Sequence, residues 1–228
     1  MLYVLNGSFY PYELHKAIED EYKLVPGEQQ DIHEIFTRLC SSGTQNMNDF
    51  IAIHFQSGCQ FTKTCRECVK HDDLPPETRT TIIVPVLNGI QDLERSIVHS
   101  MNDDHVPIQC SSCAKVTVNK LSGKFVFLPQ TLVIGFNRFQ QKSGITKKNH
   151  SRVQLPLELH VVGNMPCQYS LKACALHHGM HIHNGHYTAV IFDNDKIIEI
   201  DDHIVKDVTD GWISNVQSTV YLAFYTKK

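Results

Sequence analysis

Two short cysteine pairs are the first residues whose types and spacing suggest chemistry. Cys65-Arg-Glu-Cys68 and Cys110-Ser-Ser-Cys113 each hold two thiols with two residues between them, so both sulfurs of one turn can face a common centre. Four thiolates close a tetrahedral zinc site, each sulfur about 2.3 Å from the metal. A site closed by four sulfurs has no open position for catalysis, so the expected cofactor is structural zinc. Cys40, Cys59, Cys167 and Cys174 lack such partners and read as small buried hydrophobes.

A second set lies near the C-terminus. Tyr169 to His178 alternates like a strand, Gly179 to Gly185 turns, His186 to Phe192 returns, and Asp193-Asn-Asp-Lys196 turns again before Ile197-Ile-Glu-Ile-Asp-Asp202. Two hairpins therefore share their middle strand. With Asn194 and Asp195 as a two-residue loop, His186 faces position 203 and Asp201 lies on its diagonal, within side-chain reach. A three-residue loop sets Asp201 directly opposite His186, and an intermediate register sets Asp202 there, so periodicity leaves both acids open. Either way a carboxylate stands beside an imidazole. Such an acid fixes the tautomer and leaves the other ring nitrogen free to take a proton from a nucleophile. The nearby His177, His178, His181 and His183 also suggest a metal-binding tract, although their spacing on a turn supports it poorly.

Helices and strands must position these groups. Ile32, Ile35, Phe36 and Leu39 recur at helical spacing after Pro26-Gly27, with Asp31, His33 and Glu34 on the polar side. Ile90, Leu93, Ile97, Val98 and Met101 predict a second helix. Short strands are expected around Phe50 to Phe55 and Thr80 to Leu87, and from Lys115 onward β-branched and aromatic residues predict mainly sheet. Gln140 to Asn149 reads as an exposed polar loop.

Composition narrows the partners. The 228 residues, 42% hydrophobic and 20% charged, suit a folded globular chain. A formal charge of -3 gives no electrostatic footprint for nucleic acid or an anionic membrane. Apolar runs such as Thr131 to Phe136 fall far below the roughly 20 residues that span a bilayer. Met1 to Leu5 is too short for a signal-peptide core, so an intracellular chain, in cytoplasm or nucleus, is expected, where paired cysteines serve metal rather than disulfides.

Taken together, the motifs resemble those of the ubiquitin-specific proteases, the cysteine deubiquitinases of ubiquitin carboxyl-terminal hydrolase type. Gln29-Gln-Asp-Ile-His-Glu-Ile-Phe36 resembles that family's Gln-Gln-Asp helix, and the two cysteine knuckles resemble those at its finger tips. Leu128 to Phe139 is similar to the strand closing in Lys-Arg-Phe, Tyr169 to Tyr187 to the histidine box, Ile200-Asp-Asp202 to the acidic element, and Tyr221 to Tyr225 to the closing strand. The resemblance implies an α+β, papain-like fold of thumb, palm and fingers. Residues 1–47 would form a truncated thumb, 48–120 zinc-tipped β fingers and 121–228 the palm, within one domain. It implies His186 as general base, Asp201 as its orienting acid and Asp202 as a second acid. Asp31, Glu34 and Tyr187 would meet ubiquitin, and Cys65, Cys68, Cys110 and Cys113 would hold the zinc. In such enzymes a thiolate attacks the carbonyl of the terminal glycine of ubiquitin, and water hydrolyses the thioester.

One departure bears on activity. The family's nucleophile precedes the Gln-Gln-Asp helix in an Asn-x-Gly-x-Thr-Cys-type box, and Met1 to Glu28 contain no cysteine. Cys40 follows the helix and does not match that box. Ile197 stands where the family often has Trp. The chain alone is therefore expected to be inactive, either as a deubiquitinase whose nucleophilic segment lies elsewhere or as a ubiquitin-binding pseudoenzyme or adaptor.

Overall fold

A computed structural model describes residues 12–24, 30–41, 43–142, 145–164, 166–181, 184–193, 195–209 and 212–228. Gln29, His183 and Asn194, used in the sequence reading, lie outside the described residues, as do Met1 to Pro11 and Val25 to Glu28.

Three helices come first: α1 Tyr12–Tyr22, α2 Ile32–Ser41 and α3 Gln45–Phe55. There follow β1 Ser57–Cys65, β2 His71–Asp73, β3 Glu77–Arg79, β4 Ile82–Pro85, β5 Gln91–Asp92, α4 Leu93–Ser100, β6 Asn102–Gln109 and β7 Val116–Phe127. The second half holds β8 Thr131–Asn137, β9 Phe139–Lys142, β10 Ile145–Lys148, β11 Val153–Gln154, β12 Glu158–Val161, β13 Cys167–His181 and β14 Asn184–Asp193. It closes with β15 Lys196–Asp201, β16 Ile204–Asp207, α5 Trp212–Thr219 and β17 Val220–Lys227.

The strands form two main sheets. One has five strands in the order β2-β1-β7-β6, with β3 also on β1. The other has eight, in the order β16-β15-β14-β13-β17-β8-β4, with β12 on β13. Its inner strand β8, between β17 and β4, is buried from Leu132 to Phe136, as expected of a strand covered on both faces. Leu132 and Ile134 join Leu176, Val190, Trp212 and Val216 in the main core, where the Phe192 and Trp212 rings meet edge to face at 4.8 Å. Val133, Ala175 and Leu222 face the other way, under Ile32, Phe36 and Phe55 of α2 and α3. The long strands thus present alternate residues to two helical layers.

The α+β mixture matches expectation, and α4 matches the helix expected over Ile90 to Met101. Two elements differ. Phe50 to Phe55 is helical rather than extended. Ile51 is buried and Phe55 packs inward while Phe50 and Ile53 are exposed, so the stretch obeys the i, i+4 period that a short apolar run leaves ambiguous. Gln140 to Asn149 is no loop: β9 and β10 pair antiparallel over Phe139–Lys142 and Ile145–Lys148. Within the span 48–120, β4 and α4 belong to the large sheet and its core rather than to the five-stranded sheet.

Candidate functional site

The β14–β15 ladder sets the geometry. Asp193 pairs with Lys196 and Ala189 with Ile200, so the register is that of a two-residue loop, and Asp201 sits diagonally from His186. His186 Nε2 and Asp201 Oδ1 are 2.5 Å apart. The hydrogen bond from His186 is the largest of the effects that hold the Asp201 carboxyl below the ordinary range. Asp202 follows at the turn into β16 with φ of 52°, a left-handed conformation that a short polar side chain tolerates. Its carboxylate, the Asp201 carboxylate and the imidazole lie within 4.8 Å of one another. Both acids left open by periodicity therefore adjoin the ring, and Asp201 makes the bond.

The hairpin bearing His186 has little room. His178 pairs with His186 across β13 and β14, and its Nε2 meets Thr188 Oγ1 at 2.9 Å. Gly185 packs so closely that a Cβ there would lie 2.2 Å from the His178 carbonyl oxygen. Gly179 has φ of 124°, where a side chain would be strained. His177 points to the opposite face and is fully buried, so it is no member of an exposed metal tract.

On that opposite face Asp31 caps α2. Its Oδ1 accepts from the amides of His33 at 2.7 Å and Glu34 at 3.3 Å, satisfying donors that a helix start leaves free. Its Oδ2 accepts from the Tyr221 hydroxyl at 2.6 Å. Tyr187, His177, Tyr221 and Phe139 form an aromatic group beside it, with ring centroids 4.9 to 6.1 Å apart. A cavity of about 310 Å³ opens next to them, lined by His33, Ile83, Gly135, Phe139, Tyr221 and Leu222 among others. Glu34 is exposed and pairs with Arg38 at 2.5 Å. The structure thus gathers Asp31 and Tyr187 at one place and leaves Glu34 on the outer helix face.

The four knuckle cysteines converge at the end of the five-stranded sheet, their sulfurs within 4.8 Å of one another. Cys65 and Cys113 are 3.9 Å apart and Cys68 and Cys110 3.5 Å. Sulfurs at about 2.3 Å from a tetrahedral zinc stand about 3.8 Å apart, so the cluster has the dimensions of such a site. The two knuckles share one backbone pattern. Cys65 N donates to Lys70 O and Val69 N to Cys65 O; Cys110 N donates to Lys115 O and Ala114 N to Cys110 O. Val69 and Ala114, each just past its knuckle, have φ of 57°, an uncommon conformation for side-chain-bearing residues and a costly one for valine. The Thr117 hydroxyl and the Cys68 amide bring the Cys65 thiol down to about 6, and the Cys113 and Ser112 amides lower Cys110. Such groups favour thiolate at Cys65 and Cys110, the form a metal takes, whereas at Cys68 the neighbouring sulfurs outweigh the Lys70 amide and push the thiol up to about 11.

The family model described as ubiquitin carboxyl-terminal hydrolase matches residues 2–225. The chain belongs to the ubiquitin carboxyl-terminal hydrolase family.

Three relatives within this hydrolase family share between 25% and 29% identity with it. The probable ubiquitin carboxyl-terminal hydrolase 3 of Schizosaccharomyces pombe is 28% identical over 188 residues, covering 67% of this chain and 36% of that protein. Ubiquitin hydrolase B of Dictyostelium discoideum is 29% identical over 143 residues, 60% of this chain and 31% of its own. Ubiquitin carboxyl-terminal hydrolase 3 of Mus musculus is 25% identical over 173 residues, 68% and 32%. The chain therefore spans about a third of the curated relatives it matches. Among solved structures, the SAGA DUB module of Ubp8 with Sgf11, Sus1 and Sgf73, bound to monoubiquitin, superposes with a TM-score of 0.77 at 18% identity, over 96% of this chain and 53% of that one. That likeness establishes the fold. Among the described helices none is long and apolar enough to cross a membrane.

Four site residues escaped the sequence reading. Tyr221 was visible only as part of the closing strand, Arg138 only within the Arg-Phe end of the Leu128 to Phe139 strand, His177 was grouped with its histidine neighbours, and Lys148 lay in a polar stretch. Arg138 is fully buried and donates to the carbonyls of Val220, Asn149, Ser151 and Gln217. It ties β17, α5 and the chain after β10 into one unit behind the aromatic group.

Proposed function

We propose that this chain is a ubiquitin-gripping part of a cysteine deubiquitinase and supplies its general base. His186 bound to Asp201 at 2.5 Å across two strands is the observation that carries the reading. With Nε2 held by the carboxylate, Nδ1 is the nitrogen that accepts a thiol proton, and the carboxylate stabilises the imidazolium that forms. A deprotonated thiol would then attack the carbonyl carbon of the last glycine of ubiquitin; the C–N bond breaks, the amine leaves with the proton held by His186, and a thioester remains for water. Asp202 stands beside the same ring as a second acid.

Asp31 and Tyr187, beside the cavity lined by Phe139 and Tyr221, form the surface for the basic tail of ubiquitin, with Glu34 as an outer carboxylate. Cys65, Cys68, Cys110 and Cys113 hold structural zinc, which would pin the two knuckles together. None of the other cysteines has the marks of the nucleophile. Burial pushes the Cys40 thiol up to about 11 and raises Cys59 and Cys174, the opposite of the lowering a reactive thiol needs; Cys167 lies at the start of β13, far along the strand from His178. The thiol is thus supplied from outside this set, and the chain by itself binds ubiquitin without cleaving its conjugates. Titrating isotope-labelled monoubiquitin with the chain should shift resonances at the ubiquitin C-terminal tail, more weakly with Asp31→Asn. An unperturbed ubiquitin spectrum would refute the reading.

A further inference from the structure

Lys148, at the end of β10, is 7% exposed and, among the described residues, is paired with no carboxylate. Its Nζ lies 2.9 Å from His177 Nδ1, 2.5 Å from His177 O and 3.1 Å from Gly179 O. All three acceptors belong to the irregular end of β13, where the ladder to β14 shifts between His178 and His181. The next pair in that ladder is His178 with His186. The ammonium therefore grips the segment directly against which the candidate base is held.

The chemistry of the contact fixes more than position. An ammonium has three donors and no acceptor, so His177 Nδ1 must accept and the ring proton must sit on Nε2. Among the described residues His177 Nε2 has no hydrogen-bond partner, and it faces Gly185, where a Cβ would lie 2.6 Å away. Gly185 is the residue before His186. The imidazole thus spans the hairpin from the lysine on one side to the glycine beneath the base on the other.

Arg138 adds positive charge near this lysine, burial and the two cations Lys148 and Arg138 lower the pKa of His150, and Asp31 and His178 adjoin His177. Burial and Arg138 together bring the ammonium down to about 8. Folding is therefore opposed increasingly as pH falls from the ordinary lysine value of 10.5 and fully below about 8, a cost that a purely packing residue would avoid.

We propose that Lys148 is a positioning residue: it clamps the end of β13, fixes His177 as the Nε2–H tautomer and so holds the hairpin that presents His186. The consequence for ubiquitin rests on the function proposed above; the clamp itself does not. The test is histidine nitrogen NMR of the full chain at neutral pH together with amide hydrogen exchange. The expected wild-type His177 is protonated on Nε2. In Lys148→Met that tautomer is lost, and amides of residues 177–181 and 184–187 exchange at least tenfold faster while those of β1 and β7 are unchanged. Monoubiquitin affinity should fall roughly three- to tenfold, the effect of losing an ordinary hydrogen bond's worth of ordering. A wild-type His177 protonated on Nδ1 overturns the proposal even if the variant does not fold. An unchanged tautomer and unchanged exchange in Lys148→Met overturn it as well. Failure of the wild-type chain to bind ubiquitin, with the tautomer as expected, removes the functional reading and leaves the clamp.

Discussion

His186 and Asp201 are not cross-strand partners, yet they share the 2.5 Å contact that defines the site. The ladder pairs Ala189 with Ile200 and Val190 with Glu199, and the diagonal offset of adjacent strands brings the two side chains together. Both are substantially exposed, at 46% and 40% of their side-chain surface. An exposed contact of this kind adds little to stability, which supports the proton-transfer role proposed for it.

The same contact sets a pH signature. Asp201 is held below its ordinary range by the bond from His186. Its contribution to stability is therefore complete above the unfolded value of about 4 and disappears as pH falls through the lower folded value. Carboxyl carbon NMR should find the Asp201 midpoint below that of a free aspartate. His186→Ala should return it upward, whereas Asp202→Asn should leave it depressed.

The four-thiol cluster predicts about one zinc per chain and a cobalt derivative with tetrahedral thiolate absorption. Cys110→Ser should release the metal. Loss of zinc should lower the melting temperature by about 10 °C, since a domain of this size loses about 2–4 °C per kcal/mol, with the fastest amide exchange at the ends of β1, β6 and β7. A chain that contains no metal and melts identically with chelator would contradict the assignment.

Arg138 should tolerate no replacement. Arg138→Met strands four buried carbonyl acceptors, which should destabilise the fold by about 3 kcal/mol or more. Arg138→Lys should recover only part of this, because an ammonium cannot span acceptors arranged for a planar fork. Denaturant midpoints measure both.

Gly185→Ala tests the close packing beneath the base. A Cβ would collide with the His178 carbonyl oxygen, a backbone atom that cannot step aside without breaking the ladder. The expected result is loss of the His186–Asp201 bond, read as an upward return of the Asp201 midpoint, with the zinc content unchanged.

How much of this was legible in the residues follows from what each signal encodes. Cysteine spacing reports local turns, so the knuckles could be read, and the structure brings their sulfurs together. Strand alternation and the Asp193 to Lys196 turn gave the hairpin, but choosing between Asp201 and Asp202 required the loop length, which side-chain periodicity leaves undetermined. Phe50 to Phe55 was misread because a six-residue apolar run fits a strand and a buried helix alike. The contacts of Lys148 and Arg138 were unreadable for another reason. A buried cation satisfied by carbonyls depends on backbone groups far away in sequence, and nothing in its own neighbourhood announces it. The same holds for Asp31, whose capping role is local but whose bond to Tyr221 joins the two ends of the chain.

The central claim is that a base stands ready on a ubiquitin-binding surface without an activated thiol of its own. Incubating the purified chain with a ubiquitin derivative carrying a thiol-reactive C-terminus, followed by intact-mass analysis, addresses it directly. The expected mass is that of the unmodified chain. A stoichiometric adduct of one ubiquitin on any of the eight cysteines, abolished by His186→Ala, would contradict it.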